Sequence, residues 1–300
     1  MISLQELREA FRDMMRNRDE LIGINRRNVE LVYRNNARRD YPQADDKLLA
    51  KELFRKSDVP TPETLAVCDG LYSVQPVAHS LLEHEHFVVK PGKSSGGQGI
   101  LVVKDQLEPG VWQKAGGGTV DVSMLRHHLA EIVFGVFSKQ LEDHAFIERR
   151  ITPHPLFQEL WPDGLCDVRV ITLKREPIFS MVRVPTAQSG GKANLHQGGL
   201  GLAVDLDTGR TTRAFHRGTT IERHPETGMA LVGLELPDWP LLLDVARRAA
   251  AAVKLGYLGV DIVVDRERGP LVLEVNARPG LEIQNVHGKG LGPALERVLA

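Results

Sequence analysis

The clearest hydrophobic pattern in the chain is a pair of short apolar runs near the C-terminus, each interrupted by acidic or amide residues. The first run, residues 258–265, surrounds Asp261, and the second contains Glu274 and Asn276. Apolar, β-branched residues on both sides of a single acid are typical of buried strands, and residues 266–270 predict a turn that joins them. Alternation along a strand places Glu274 and Asn276 on one face, where Asp261 can lie beside them.

Helical and strand patterns alternate along the rest of the chain. The predicted helices cover residues 4–18, where Ser3 opens a capping box, and residues 28–35, 46–56, 123–139 and 238–254, with a short helix after Gly292. The predicted strands cover residues 87–91, 100–103, 145–151, 167–173 and 178–184, with a further hairpin at 203–210. Residues 1–45 contain no predicted strand, which leaves no room for a Rossmann-like unit there.

Composition and charge narrow the class of protein. The 300 residues are 42% hydrophobic and 26% charged, with a net charge of −1, so a large core is feasible and no overall charge favours nucleic acid or an anionic membrane. Cys68 and Cys166 are too few for a disulfide framework or a zinc site. The sequence shows no signal peptide and no apolar run long enough to span a membrane. These features predict a cytoplasmic protein.

Asp261, Glu274 and Asn276 form a candidate metal site. Two carboxylates buried close together are costly unless a cation accompanies them. Two acids and an amide oxygen make a hard, all-oxygen ligand set of the kind that Mg²⁺ prefers. In the alternative interpretation, Asp261 caps a turn and Glu274 faces water from an edge strand. Three oxygen ligands on one face of one strand pair favour the metal.

Two glycine-rich segments are candidates for ligand binding. Residues 92–99 lie between two predicted strands, the first of which ends near Lys90, and their backbone N–H groups suit an oligophosphate. The segment lacks both the Walker A spacing and the following helix, and a plain glycine-rich hairpin is the alternative. Residues 189–199 combine flexibility with polar side chains, among them Lys192 and Asn194.

Lysine and arginine side chains supply further candidates. Lys47 lies in the first turn of a predicted helix, where a lysine opposes the helix dipole unless a phosphate binds, although most helix lysines are simply exposed. The many arginines of the first 39 residues are interpreted as a solvated helix face, with a docking patch as the alternative. Strand alternation places Asp167, Arg169 and Arg183 on sheet faces.

The order of these motifs resembles the ATP-grasp superfamily, and within it the glutamate ligase-like (RimK-like) branch. The resemblance covers roughly residues 45–290. The residues that carry it are Asp46-Lys47, Lys90-Pro91, Ser95-Gly96-Gly97-Gln98-Gly99-Ile100, Asp167-Val168-Arg169, Asn194-Leu195-His196-Gln197-Gly198-Gly199, Asp261 and Leu273-Glu274-Val275-Asn276-Ala277-Arg278-Pro279-Gly280.

The resemblance implies an α+β fold in which two lobes with antiparallel sheets clamp ATP. The expected divisions are a helical N-terminal segment over 1–45, a first lobe with the glycine-rich loop over 46–150, and a second lobe with the metal site over 151–300. The short helical segment replaces the α/β N-terminal domain that is usual in the superfamily. A second departure is Arg278, because RimK-like proteins usually carry a small residue there.

The resemblance also implies roles for individual residues. The residues expected to bind ATP are Lys47 and Lys90 at the phosphates, Ser94, Ser95, Gly96, Gly97 and Gly99 in the mobile loop, Glu148, Arg149 and Ile151 at the adenine, Asp167 near the sugar, and Lys192 and Asn194. Asp261, Glu274 and Asn276 are expected to bind one or two Mg²⁺ ions, with Mn²⁺ as an acceptable substitute. Arg183 and Arg278 are candidates to bind a substrate carboxylate or an acyl phosphate, which a guanidinium matches bidentately.

The implied function is that of an ADP-forming carboxylate–amine ligase. ATP and a carboxylic acid would give an acyl phosphate, which an amine attacks to form an amide. Glutamate or another amino acid added to a peptide, a protein or a small amine is the expected reaction. No nucleic acid or membrane span is expected, and a homo-oligomer is compatible with the sequence.

Two other functions compete with this one. A nucleotide-binding adaptor would keep the clamp and lack the chemistry, but the complete set of metal ligands argues against it. An enzyme of the glutathione synthetase or D-Ala–D-Ala ligase type is the other alternative, and the Asn-Leu-His-Gln-Gly-Gly stretch favours the RimK-like branch over it.

Overall fold

Two antiparallel sheets organise the molecule. The computed structural model describes residues 20–94 and 96–299, so the predicted helix over 4–18 and the loop residue Ser95 lie outside the described residues. Within the described residues, thirteen strands form one sheet of six strands and one of seven. In chain order the strands are β1 (Thr64–Cys68), β2 (Phe87–Pro91), β3 (Leu101–Glu108), β4 (Val111–Lys114), β5 (Thr119–Asp121), β6 (Ala145–Arg149), β7 (Asp167–Leu173), β8 (Glu176–Val184), β9 (Leu200–Val204), β10 (Thr211–His216), β11 (Thr219–Ile221), β12 (Tyr257–Asp265) and β13 (Gly269–Asn276).

The six-stranded sheet and its two longest helices form what we call the small lobe. Its strand order is β1-β6-β2-β3-β4-β5, and β2 pairs antiparallel with both β3 and β6. Helices Leu71–Ser80 and Val122–Val133 pack on one face through apolar side chains such as Val77 and Leu125. The link from β2 to β3 is the glycine-rich segment, so the sheet presents that segment at one strand end.

The seven-stranded sheet is the centre of what we call the large lobe. Its strand order is β11-β10-β9-β8-β7-β12-β13. One face packs on helix Trp239–Ala252 and also on Ala50 and Phe54 of helix Lys47–Lys56. The helix that begins at Lys47 therefore contributes to the core of the large lobe, while the predicted division at residue 45 stays a prediction.

The opposite face of the large sheet is divided along its strands. Ile171, Phe179 and Tyr257 lie in an apolar cluster under helical segments from both ends of the described chain. The covering segments are Ile24–Arg26, Arg27–Val32 (π-helical), Tyr33–Asn35, Glu282–His287 and Gly292–Leu299. Alternation puts Asp167 and Asp261 on this same face, beyond the helices. Apolar packing thus covers one end of the face and leaves the polar end for the site.

Short helical elements complete the connections. They are Arg38–Asp40, Leu81–Glu83 and Leu195–Gln197 (3₁₀-helical), together with Pro42–Asp45 and Pro155–Leu160.

The predicted helix over residues 123–139 is wrong at both ends. The observed helix is Val122–Val133, and its N-cap is Asp121, whose carboxylate accepts a hydrogen bond from the Met124 N–H at 2.8 Å. Gly135 adopts a φ of 78°, and a Cβ built there would stand 2.1 Å from the carbonyl oxygen of Leu141. The chain therefore turns at Gly135 and cannot continue as a helix.

The strand pair predicted over residues 167–173 and 178–184 is confirmed as an antiparallel hairpin, but its second strand begins two residues earlier than predicted. Lys174 and Arg175 occupy the turn with φ values of 50° and 76°, and β8 already begins at Glu176. Positive φ at two successive residues matches the twist of a two-residue hairpin.

Asn36 ties the N-terminal helical segment to the strands that carry the site. Its side-chain amide donates to the carbonyl oxygens of Tyr257 and Ala277 at 2.8 and 2.9 Å, and its Oδ1 accepts from the Tyr257 N–H at 2.9 Å. The residue is 2% exposed. Ala277 directly follows Asn276, so this buried amide fixes the end of β13.

We predict that Asn36→Ala lowers the free energy of unfolding by about 2–4 kcal/mol, because it leaves buried backbone groups without partners. Urea denaturation measures the change. Asn285→Ala is the control, since Asn285 is exposed and its side chain bonds only to Glu282 among the described residues. Equal stability of the two variants would contradict the prediction.

The stability of the large lobe depends on pH through His287. Its Nε2 lies 2.7 Å from the Ser180 carbonyl oxygen, which assigns the proton of the neutral ring to Nε2. Burial lowers the pKa of His287 to about 4, against which the bond to Ser180 acts only in part. Because the folded-state pKa is depressed, the contribution to stability is complete above pH 6.5 and is lost as pH falls toward 4.

We expect the wild type to lose about 2 kcal/mol more stability than His287→Gln between pH 7.5 and pH 4.5. Glutamine keeps a donor for Ser180 and does not titrate. Urea denaturation of both proteins across this range measures the difference, and parallel pH profiles would refute it.

Candidate active site

The predicted metal ligands meet on the hairpin of β12 and β13. Asp261 lies directly opposite Glu274 in the strand register, next to a β-bulge after Asp261. The side-chain nitrogen of Asn276 lies 3.2 Å from Asp261 Oδ2 and 3.5 Å from Glu274 Oε1. The strands thus bring together all three residues that alternation placed on one face.

Asp261 is held by two arginines of the neighbouring strands. Arg169 donates to both of its oxygens, at 2.7 and 2.6 Å. Arg183 donates to Asp261 Oδ2 at 2.7 Å and to both oxygens of Asp167 at 2.6 and 2.7 Å. Two cations and two anions alternate across this network, so its formal charge is zero. Asp167 is therefore buried and bound to Arg183. Its expected role near a nucleotide sugar stays a prediction.

The two aspartates of this network differ in pKa, and they form hydrogen bonds with different numbers of arginines. Burial raises the pKa of both, but the charges of Arg169 and Arg183 lower that of Asp261 well below its usual range. Asp167 is bound by Arg183 alone and also faces the charge of Asp261, and burial raises its pKa to about 6. Asp261 is therefore a carboxylate at neutral pH, as a metal ligand must be.

The three residues have the oxygen-donor chemistry that a hard divalent cation requires, although the Asp261 oxygens accept bonds from Arg169 and Arg183. The Glu274 side chain is 35% exposed, so its carboxylate remains accessible. A rotation of the Asn276 amide by half a turn would present Oδ1 instead of the nitrogen to the same space. Residues 20–94 and 96–299 hold no group of three or more His, Cys, Asp or Glu side chains placed for a metal. Two carboxylates with an amide oxygen are thus the candidate ligand set, and it suits Mg²⁺.

Lys47 connects the glycine-rich segment to the acidic residues. Asp46 caps the helix through bonds to the N–H groups of Leu48 and Leu49, which fixes Lys47 at the first helical position. The Lys47 Nζ donates to the Ser94 carbonyl oxygen at 2.5 Å and lies 3.8 Å from Glu274 Oε2. Its ammonium therefore lies where the loop and the metal ligands come closest.

The two glycine-rich segments contact each other across the cleft. Gly97 has a φ of 73°, and a Cβ built on it would stand 3.6 Å from Cδ and Cε of Lys192. Gly99 has a φ of 71° and no room for a Cβ, which would stand 2.6 Å from Phe137. A Cβ at Gly96 would meet nothing within 4 Å among the described residues. The loop thus combines a packed base with an open tip beside Lys192.

Asn194 has a local role in the structure. Its Oδ1 accepts from the His196 N–H at 3.1 Å and caps the turn Leu195–Gln197. The expected contact of Asn194 with ATP stays a prediction.

Glu148 lies between two lysines inside the small lobe. It is 3% exposed, and its Oε2 lies 2.5 Å from Lys90 Nζ while its Oε1 bonds to Lys51 Nζ. Burial raises the pKa of Glu148, but the charges of Lys90 and Lys51 lower it more, so the pKa falls below its usual value. The carboxylate is therefore ionised and engaged by lysines.

The residues after Glu148 lead out of the sheet. The Arg149 N–H donates to the Glu63 carbonyl oxygen at 2.9 Å, and its guanidinium pairs with the Glu63 carboxylate at 2.7 Å. Arg149 is thus engaged at the surface, and Ile151 is partly buried. Their contact with adenine remains a prediction.

Arg278 lies at the rim of the site, two residues beyond Asn276. Its guanidinium carbon stands 5.1 Å from the centre of the Tyr41 ring, and Nη2 lies 3.9 Å from Asp45 Oδ2. The side chain is 54% exposed. Arg278 is therefore positioned loosely and accessible, whereas Arg183 is committed to two buried aspartates.

Two site residues were missed by the sequence analysis. Arg169 was placed on a sheet face without a role. Alternation put it on the same face as Asp167, and the strand register sets it opposite Asp261. Lys51 was not singled out, although it follows Lys47 by one helical turn.

Comparison with known proteins identifies relatives of this arrangement. A family model described as sugar-transfer associated ATP-grasp matches residues 26–300. A ribosomal protein bS6–L-glutamate ligase of Salmonella paratyphi B is 31% identical over 136 residues, which is 45% of this chain and 34% of that protein. The chain thus spans about a third of the length of the curated relatives it matches.

Solved structures show a related fold. The biotin carboxylase of Campylobacter jejuni has a TM-score of 0.51 at 14% identity, covering 81% of this chain and 42% of that one. An ATP-grasp RimK domain protein of Sphaerobacter thermophilus has a TM-score of 0.47 at 14% identity, covering 88% of this chain and 70% of that one.

These findings confirm the predicted α+β ATP-grasp fold and the resemblance to the ATP-grasp superfamily. The glutamate ligase relatives confirm the resemblance to the RimK-like branch. Among the described residues, no helix has the length and apolar character needed to cross a membrane.

We predict that the two opposed carboxylates differ in their effect on stability. Asp261→Asn leaves two buried arginines undercompensated and should lower the free energy of unfolding by about 3–5 kcal/mol. Glu274→Gln removes a partly exposed charge that lies 3.8 Å from one lysine, and should change it by less than about 1 kcal/mol. Urea denaturation compares the two, and a larger loss in Glu274→Gln would contradict the assignment.

Proposed function

The chain belongs to the sugar-transfer associated ATP-grasp family, and we propose that it is an ATP- and Mg²⁺-dependent carboxylate–amine ligase. The single observation that carries the proposal is the position of Lys47. It contacts the Ser94 carbonyl oxygen at 2.5 Å and lies 3.8 Å from Glu274, one of the candidate metal ligands. A phosphate chain held by the loop would therefore end beside the metal ligands.

The proposed reaction begins with phosphoryl transfer to a carboxylate. A carboxylate oxygen attacks the γ-phosphorus of ATP, the bond to the β-phosphate oxygen breaks, and ADP leaves. Two anions must approach each other in this step, so catalysis depends on positioning and charge neutralisation. Lys47, Lys90 and the backbone N–H groups of the loop supply these. Asp261, Glu274 and Asn276 would hold Mg²⁺, which would neutralise further phosphate charge when bound.

The second step forms the amide. An amine nitrogen attacks the acyl carbon of the acyl phosphate, the bond from that carbon to the phosphate oxygen breaks, and inorganic phosphate leaves with the electron pair and takes up the proton that the nitrogen loses. No protein nucleophile is required. We assign Arg278 to the carboxylate substrate or the acyl phosphate because its guanidinium is exposed at the rim of the site. Arg183 acts through Asp261, whose carboxylate it holds in place.

The proposal extends to the substrates and the setting. We propose that glutamate or another amino acid is one substrate, because the curated relatives are named as ligases of L-glutamate to a ribosomal protein. The acceptor is a peptide, a protein or a small amine. We propose one or two Mg²⁺ ions, replaceable by Mn²⁺, as the metal. We propose the cytoplasm as the location of the protein.

The first experiment measures phosphate release from ATP and Mg²⁺ across a panel of amino acids, singly and in pairs, with mass spectrometry of the products. We expect release to require a particular pair and to give a product of their combined mass less one water. Glu274→Gln should then lower the rate by at least about 100-fold, since charge neutralisation at phosphate is a large part of such catalysis.

The matched control is Glu267→Gln, an exposed residue of the turn between β12 and β13. It should retain the wild-type rate. Full activity of Glu274→Gln would refute the metal assignment. Binding of ATP without phosphate release, across the panel and with protein acceptors added, would favour the nucleotide-binding adaptor instead.

A further inference from the structure

A buried cluster of three charges, two of them on the small sheet and one on the helix Lys47–Lys56, carries a net positive charge. It consists of Lys51, Glu148 and Lys90, whose side chains are 10%, 4% and 15% exposed. Each lysine contacts a different oxygen of the one carboxylate. Arg268 also repels the charge of Lys51, but Arg268 is paired with Asp265 at 3.8 Å and is not counted in the cluster. Two cations and one anion leave a formal charge of +1.

Lys51 has two acceptors within the protein. Its Nζ donates to Glu148 and to the Pro62 carbonyl oxygen at 2.6 Å, and it lies 5.7 Å from the centre of the Phe146 ring. Two of the three N–H donors of its ammonium group are therefore used by these hydrogen bonds.

Lys90 differs from Lys51 in its surroundings. Glu148 is the only acidic partner of Lys90 within ion-pair distance among residues 20–94 and 96–299. Lys90 lies near the end of β2, directly before the glycine-rich segment. The uncompensated charge of the cluster is therefore located at Lys90, toward the loop.

We propose that Lys51 is a positioning residue that occupies one oxygen of Glu148 and thereby leaves Lys90 with a net positive charge for the phosphates of a nucleoside triphosphate. This inference rests on the proposed function. Without Lys51, both carboxylate oxygens of Glu148 are available to Lys90, and the two form a neutral pair. A neutral pair attracts an approaching phosphate less strongly than a cluster of charge +1 does.

The contact also joins the two lobes. Lys51 belongs to the helix Lys47–Lys56, whose Ala50 and Phe54 lie in the core of the large lobe. Glu148 and Lys90 belong to neighbouring strands of the small sheet. The charge of Lys90 toward the cleft thus depends on the position of the large lobe.

Titration calorimetry with a non-hydrolysable ATP analogue and Mg²⁺ tests the proposal through the charge of the cluster. Lys51→Met lowers the formal charge to zero and should raise the Kd by about 10-fold. Glu148→Gln raises it to +2, and this variant should bind at least as tightly as the double variant, which carries the same substitution at the expected adenine position. The double variant returns to +1 and should recover most of the lost affinity.

A purely structural role predicts a different pattern, because a second substitution in a buried cluster would weaken binding further. Recovery in the double variant therefore separates charge from packing. Lys51→Arg, which keeps the charge, should bind like the wild type. Lys56→Met is the matched control on the same helix, since Lys56 is exposed and pairs with Glu52, and its Kd should not change.

The outcomes distinguish this inference from the proposed function. If the wild type binds no nucleotide, the proposed function fails and the inference with it. If the wild type binds and Lys51→Met binds equally well, the inference alone is overturned. If Lys51→Met does not fold, the Kd of Glu148→Gln is compared with that of the double variant instead. Weaker binding by Glu148→Gln than by the double variant would refute the role of charge.

Discussion

The cost of burying charge determines how the cleft is built. Inside the large lobe, Arg169, Asp261, Arg183 and Asp167 alternate in sign and sum to zero, so each ion is compensated by a neighbour. Such a network holds Asp261 in place and needs no bound cation to compensate its charge. Glu274, directly opposite Asp261, stands outside this network and is partly exposed. The two acids of the hairpin therefore have separate physical roles, one anchored by arginines and one open to the cleft.

Apolar packing explains why the site lies at only one end of the large sheet. The helical segments around Leu31 and Val286 cover the other end of the same face with apolar side chains. Asn36 then couples this covering layer to the main chain beside Asn276. The described part of the N-terminal helical segment is thus part of the core of the large lobe.

Local patterns of the sequence predicted the elements that carry the site. An acid within an apolar run identified Asp261 and Glu274, and period-two alternation put Asn276 beside them. The short strands β4 and β5 were missed because three or four residues between glycines carry little periodicity. Lys51 was missed for another reason. A lysine on a helix is usually exposed, and its burial depends on Glu148, which is 97 residues away and reaches it only through the fold.

Long-range partners also decide what a charged residue can do. Arg183 and Arg278 were equivalent candidates in the sequence, since a guanidinium binds any carboxylate. In the structure Arg183 is saturated by two buried aspartates, while Arg278 rests on Tyr41 with its charge facing solvent. Of these two arginines one is engaged by the protein and the other is accessible, and an accessible cation can bind an anionic substrate directly. Lys51 and Lys90 differ in another way, because Lys51 also donates to the Pro62 carbonyl oxygen, while both lysines share the Glu148 carboxylate.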